Sequence, residues 1–199
     1  GFVPGRVITE ATHMLKLVQA MLDETDGEGI IVAADWEKAF DRVSWDFLHE
    51  AATALGFGPK ARGWFRTMYN DRAPPVRRVR VNGEHSDAFH ILSGVPQGCP
   101  VSPLIFLLVA EALTRAILAE PSTKLRGIDI GGSEVRVTQF ADDTQLVLAG
   151  YKYLRTVWNI LLEYEEVSGM RANVNKFEGI RCGRLKRKPV PIVGELRTN

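Results

Sequence analysis

Two cysteines, Cys99 and Cys182, are all that the 199 residues contain. Two cannot build a disulfide framework or a zinc site, and so few suit a reducing intracellular compartment, nuclear or cytoplasmic. A signal peptide is missing. So is a membrane span: the longest apolar run, residues 104–119, is interrupted by Glu111, Thr114 and Arg115 and reads as a buried helix. Excess charge is also absent. A net charge of +1 says little about partners, so only the local distribution is informative. No internal repeat or low-complexity tract appears. The chain opens Gly1-Phe2-Val3 without a Met, which suggests a fragment of something longer. What remains is ordinary globular composition, 45% hydrophobic and 25% charged, in a chain long enough to bury a core.

Local signals mix helices with hairpins. Ala11, Leu15, Val18 and Leu22 recur at helical spacing after a Thr9 cap. Residues 30–34 form a short apolar run that reads as a buried strand, ended by Asp35. Ser44 caps a second helix with Gly56 past its end. Pro59 opens a third helix, to about Tyr69. Val79 and Val81 alternate with Arg78 and Arg80, Asn82-Gly83 supplies a turn, and Phe89 and Ile91 lie on the return strand. That hairpin should be apolar on one face and basic on the other. Residues 93–99 are a loop. Ser102 caps a long helix with Pro103 at its first position. Residues 135–140 and 144–148 flank Ala141-Asp142-Asp143 as a second hairpin with acids at its tip. A helix from Leu154 to Ser168 stops at Gly169, and residues 177–181 form a last strand. The tail from Leu185 is basic, with no predicted structure. This pattern gives an α+β fold with an antiparallel sheet.

Two features carry chemistry. Aspartate is a poor strand residue, and a carboxylate beside a core needs a partner or a metal. Alone, Asp35 also suits a turn or a helix cap. Asp142 and Asp143 are adjacent anions that need a cation or a proton if both face one site, although aspartate is also a common turn residue. Taken together, two neighbouring strands can gather Asp35, Asp142 and Asp143 at one sheet end. Oxygen-only ligands favour hard cations such as magnesium, and three aspartates around two such ions make a phosphoryl-transfer site. Charge alone does not separate a nuclease, a phosphatase and a polymerase. Two basic clusters are candidates for following a phosphate backbone or for plain solvated faces: Arg72, Arg77, Arg78 and Arg80, and Arg181, Arg184, Lys186, Arg187 and Lys188.

The residues carry a family resemblance. Ala34-Asp35-Trp36-Glu37-Lys38-Ala39-Phe40-Asp41 resembles motif A of reverse transcriptases. Residues 93–103, Ser-Gly-Val-Pro-Gln-Gly-Cys-Pro-Val-Ser-Pro, resemble motif B, and Phe140-Ala141-Asp142-Asp143 resembles motif C. Met170 to Lys176 is similar to motif D. Gly1-Phe2-Val3-Pro4-Gly5-Arg6 resembles the segment before motif A in non-LTR retrotransposons, and the Phe-Ala-Asp-Asp form points to those elements rather than to retroviruses.

The resemblance implies a right-hand polymerase palm with partial fingers over residues 1–184 and no thumb, and a basic tail over 185–199. It implies RNA-templated DNA synthesis by two-metal nucleotidyl transfer from dNTP to a DNA primer 3′-OH. The alternative is an inactive, truncated relic that at most binds nucleic acid. An RNA-dependent RNA polymerase is disfavoured by Phe40. Asp35, Asp142 and Asp143 would hold two Mg2+ ions, or Mn2+, with the Trp36 carbonyl. Phe40 would be the steric gate against a ribose 2′-OH. Amides near Lys38 and Ala39 would touch the triphosphate. Gln97 and Gly98 would line the nucleotide and template. Lys176 would approach the β- and γ-phosphates. Arg78 and Arg80 would face the template-primer. Asp41 is left out of the site, and Cys99 is a small packing residue. The partners implied are an RNA template, a DNA primer, dNTPs, and the fingers, thumb and endonuclease segments of a parent polyprotein. Without those flanks, the isolated chain is expected to be weak or inactive.

Overall fold

The computed structural model describes residue 5 and residues 7–189. The rest of the Gly1–Arg6 segment and tail residues 190–199 lie outside the described residues. At the centre is a four-stranded antiparallel sheet in the order β10-β1-β9-β8. Its strands are β1 (Glu28–Ala34), β8 (Val137–Phe140), β9 (Asp143–Leu148) and β10 (Glu178–Gly183). Helices cover both faces. On one side, α2 (Trp45–Ala54), α4 (Ser102–Ala119) and α5 (Leu154–Ser168) enclose the larger core, in which Phe106, Leu113, Leu146, Leu148 and Leu161 are buried. On the other, α1 (Ile8–Glu24) lays Val18 and Leu22 onto Ile31, Val147 and Cys182. Ile30 and Ile31 therefore face opposite cores, as alternation along a strand requires. The α+β palm with an antiparallel sheet on helices is what the sequence pattern indicates.

Several local signals act as expected. Ser44 Oγ accepts the Phe47 N–H at 3.3 Å and starts α2. Gly169 ends α5 in the left-handed conformation, φ 73°, returning its N–H to Glu165 O. Pro59 opens α3 (Pro59–Met68). Within the described residues, α4 alone is long and apolar enough to cross a membrane. Phe106, Val109, Leu113 and Ile117 place it in the core instead.

Other expectations are corrected. The helix α1 starts at Ile8, before Thr9, and the Glu10 carboxylate accepts the Val7 N–H. Ser102 is the first residue of α4 rather than its cap, and its hydroxyl is buried. The basic-apolar hairpin is two short ladders, β2 (Val76–Arg77) with β5 (Phe89–His90) and β3 (Arg80–Val81) with β4 (Glu84–His85). Ser86 interrupts them, its Oγ and N–H engaging Val79. Both faces are exposed, so the arm has no core side. Val135 belongs to a separate small hairpin, β6 (Ile128–Ile130) with β7 (Ser133–Val135). Between that hairpin and β8, the buried Arg136 donates to Glu134, Ser122 and the Glu120 carbonyl at the end of α4. Its charge is thus fully engaged, as burial demands.

The start of the tail is ordered. Arg184–Arg187 forms a 3-10 turn with Leu185 in the core. Lys186 pairs with Asp23 at 2.5 Å, Arg187 with Asp26, and Lys188 with Glu28. Lys186 holds the Asp23 carboxyl below its ordinary value, and Lys188 does the same for Glu28. Three of the basic residues expected to follow phosphates or to be solvated are thus committed to acids of this chain.

Candidate active site

Register builds the site. Ala34 on β1 faces Thr144 on β9, so Asp35, one residue on, emerges beside Asp143. Phe140 pairs with Asp143, which leaves Ala141 and Asp142 as a two-residue turn. Ala141 takes φ 56°. A positive φ at the first turn position matches the right-handed strand twist, but it strains any residue with a Cβ. The tight turn brings the two adjacent acids to the sheet end where Asp35 lies. All three sequence-predicted carboxylates are therefore gathered at one end of the palm.

They feel one another. The Asp143 carboxyl is raised above its ordinary value, first by desolvation, then by the charges of Asp142 and Asp35. The residue is exposed, so the desolvation of its carboxyl is partial. Asp35 Oδ2 is buried and accepts no hydrogen bond, and the Lys176 ammonium stands 3.4 Å from it. Among the described residues, that ammonium is the one cation at ion-pair distance from any of the three carboxylates. An orphaned, shielded carboxylate oxygen beside two more carboxylates is a donor set that suits a hard divalent cation. Among the described residues, no three acidic, His or Cys side chains converge on a single ion.

A carboxyl with a raised folded pKa adds stability below its unfolded pKa and gives that up as pH rises through the folded value. Without divalent ions, Asp143→Asn should therefore be more stable than the parent at pH 7. The gain should be about 0.5 kcal/mol, as suits a screened, exposed contact. It should shrink as pH falls through the carboxylate range. Urea midpoints across pH check both points.

The loop after β1 is pinned from three sides. The Glu37 N–H donates to Arg171 O and the Asn173 N–H to Asp35 O, both at 2.8 Å, which joins motif A to motif D. Trp36 is buried, and its carbonyl is used in neither bond. The Glu165 carboxylate accepts the Ala172 N–H at 2.5 Å. Glu37 lies between Arg42 at 3.2 Å and Arg171 at 3.9 Å. Lys176 closes a 3-10 turn, Val174–Lys176, which delivers it to Asp35. The sequence singled out neither Glu165 nor Glu37: the Glu165 carboxylate takes a backbone N–H across a loop and Glu37 takes two arginines, and no local pattern marks either.

The motif B loop docks on motif A through backbone. Val95 N–H donates to Phe40 O at 2.7 Å and Gly94 N–H to Val43 O at 2.8 Å. The Trp45 indole donates to Gly94 O at 2.8 Å. Asp41, outside the site by sequence, donates its N–H to Lys38 O at 2.8 Å and accepts the Ser93 hydroxyl at its carbonyl. Phe40 is half-buried, its ring stacked on Phe106 at 4.5 Å. Lys38 holds φ 47° in a tight turn. Among the described residues, neither its N–H nor that of the buried Ala39 donates to a backbone carbonyl. Gln97 and Gly98 are exposed, and a Cβ at Gly98 would meet open space. Cys99 is half-buried beside them, its thiol lowered first by the Val101 N–H at the start of α4.

Arg78 and Arg80 project from the exposed arm, away from the carboxylate corner in sequence and sheet. Among the described residues, neither they nor Arg72 and Arg77 has a carboxylate at ion-pair distance.

Comparison with known proteins identifies the family. The chain is 30% identical over 186 residues to the Transposon TX1 uncharacterized 149 kDa protein of Xenopus laevis, covering 92% of this chain and 14% of that protein. It is 26% identical over 176 residues to the Pol polyprotein of the retrotransposable element R2DM of Drosophila melanogaster, covering 88% of this chain and 16% of that one. The chain thus spans under a fifth of the length of these relatives. Its fold resembles Candida tropicalis telomerase, solved with a TWJ fragment of telomeric RNA, at TM-score 0.64 and 12% identity over 88% of this chain and 30% of that one. Residues 1–194 match reverse transcriptase (RNA-dependent DNA polymerase), and the chain belongs to that family, on its non-LTR retrotransposon side.

Proposed function

We propose that this chain carries the nucleotidyl-transfer centre of an RNA-directed DNA polymerase, extending a DNA primer on an RNA template. The observation that carries the reading is the register of Ala34 with Thr144, which sets Asp35 beside Asp142 and Asp143. Those carboxylates, with the Trp36 carbonyl, would hold two Mg2+ ions, and Mn2+ would suit the same oxygens. When bound, the ions supply activation of the attacking 3′-OH and stabilisation of the leaving oxygen.

The chain's own groups then position the substrate. The unengaged amides of Lys38 and Ala39, in a turn with positive φ, form a nest suited to a triphosphate. Phe40, its ring stacked on Phe106, would be a wall for the sugar that excludes a ribose 2′-OH. Gln97 and Gly98 offer an open face to the nucleotide and template. Lys176 can leave Asp35 for the β- and γ-phosphates and pass a proton to the departing pyrophosphate. Arg78 and Arg80 would grip template-primer phosphates without reading sequence. The remaining fingers and the thumb of a parent polyprotein would complete the clamp, and its endonuclease would be a further segment.

Primer extension tests this: an annealed RNA template and DNA primer, Mg2+, dNTPs, and enzyme in excess over primer. Incorporation that needs template and metal supports the polymerase, whereas binding of the duplex without any extension supports the inactive relic. Phe40→Ala should raise incorporation of rNTP relative to dNTP by about a hundredfold, by removing the wall rather than the ion ligands. Competing rNTP and dNTP in the same assay measures that ratio.

A further inference from the structure

Under the carboxylate corner lies a buried polar knot. Thr144 is 1% exposed. Its Oγ accepts the Trp36 indole N–H at 3.2 Å and the Gln139 side-chain N–H at 3.2 Å. Gln139 in turn accepts the Thr114 hydroxyl at 2.6 Å. The chain of bonds therefore runs from α4 through β8 and β9 to the loop after β1. It crosses the Ala34–Thr144–Gln139 row, the last row of the sheet before the acids.

A hydroxyl has two lone pairs, and here both are used. The hydroxyl is not interchangeable with an apolar group, because the buried Trp36 indole N–H would lose its partner and the half-buried Gln139 amide would lose one of its bonds. Geometry makes the knot relevant to the site. Trp36 follows Asp35, and Asp142 and Asp143 precede Thr144. A single oxygen thus ties the motif A loop to the motif C strand beside the three carboxylates. The strained Ala141 turn sits directly above, and such strain persists only where surrounding structure over-determines it.

We propose that Thr144 is a positioning residue for the divalent-cation site. Its hydroxyl fixes the spacing of Asp35 against Asp142 and Asp143, with Gln139 and Thr114 holding that hydroxyl in place. The inference rests on reading the aspartates as cation ligands, and it adds residues that touch neither cation nor substrate. Groups that orient ligands in this way commonly tune metal affinity by ten- to a hundredfold, on the order of the effect expected here.

The test uses the whole chain, with Mn2+ titrated and free Mn2+ followed by EPR. The Trp36 indole N–H is followed in parallel by NMR, assigned with Trp36→Phe. Thr144→Val should weaken Mn2+ binding by about tenfold or more, and Thr144→Ser should stay within about twofold of the parent. The indole proton should exchange faster in Thr144→Val and keep its protection in Thr144→Ser. Should Thr144→Val not fold, Gln139→Met carries the test, with an expected loss of about threefold or more. If Asp142→Asn abolishes binding while Thr144→Val, or Gln139→Met in its place, stays within about twofold of the parent, the positioning role is overturned and the cation site stands. If the parent binds Mn2+ no better than Asp142→Asn, the cation site falls and the positioning role with it.

Discussion

Asp142→Ala should lower single-turnover dNTP incorporation by about a thousandfold or more, roughly 4 kcal/mol of transition-state stabilisation. The expected size follows from the charge arrangement. Phosphoryl transfer offers the protein little covalent work, so most of the rate rests on positioned cations and their ligands. Asp142 occupies the second position of the turn between β8 and β9 and is exposed, with no role in either core. Its removal should therefore leave stability within about 0.5 kcal/mol of the parent. A large loss of rate without a loss of stability separates a ligand role from a structural one. Chemical denaturation and primer extension on the same preparation supply both numbers.

Gly94→Ala should do the reverse and act through the fold. Gly94 takes φ 82°, and a Cβ there would lie 2.4 Å from the Asp41 carbonyl oxygen and 2.7 Å from its carbon. These are backbone atoms, so no side chain can swing aside. Relief requires lifting the motif B loop off motif A. That breaks the Gly94–Val43 and Val95–Phe40 hydrogen bonds and strands the Trp45 indole N–H in the core. Backbone strain, the lost bonds and a buried orphan donor together should cost about 3 kcal/mol, read as a lower denaturation midpoint. Gly98→Ala is the informative contrast: its φ is similarly positive, but nothing lies within 4 Å, so it pays only the conformational cost.

How far sequence reaches is clearest element by element. Ser44, Gly169 and Asn82-Gly83 announce their structures because each acts on backbone within a few residues. The acids at 35, 142 and 143 were legible because alternation and turn chemistry place them at strand ends. The β6–β7 hairpin was not: three-residue strands carrying Asp129 and Glu134 have too short a period to register. The ordered start of the tail was hidden for another reason. Its structure depends on Asp23, Asp26 and Glu28, about 160 residues earlier in the chain. The same holds for Thr144, whose meaning lies in Trp36 and Gln139 rather than in its own neighbours. Local rules find the carboxylates, and long-range packing brings them to one sheet end.

The central claim is that three aspartates, one from the end of β1 and two from the β8–β9 turn, share divalent cations. Crystals of the chain grown with Mn2+ and a non-hydrolysable dNTP address it through anomalous scattering. The account predicts two peaks roughly 3.5–4 Å apart, bounded by the carboxyls of Asp35, Asp142 and Asp143, with Lys176 turned from Asp35 toward the phosphates. Peaks elsewhere, or an Asp35 carboxyl more than about 10 Å from the turn, too far for a shared ion pair, would contradict it.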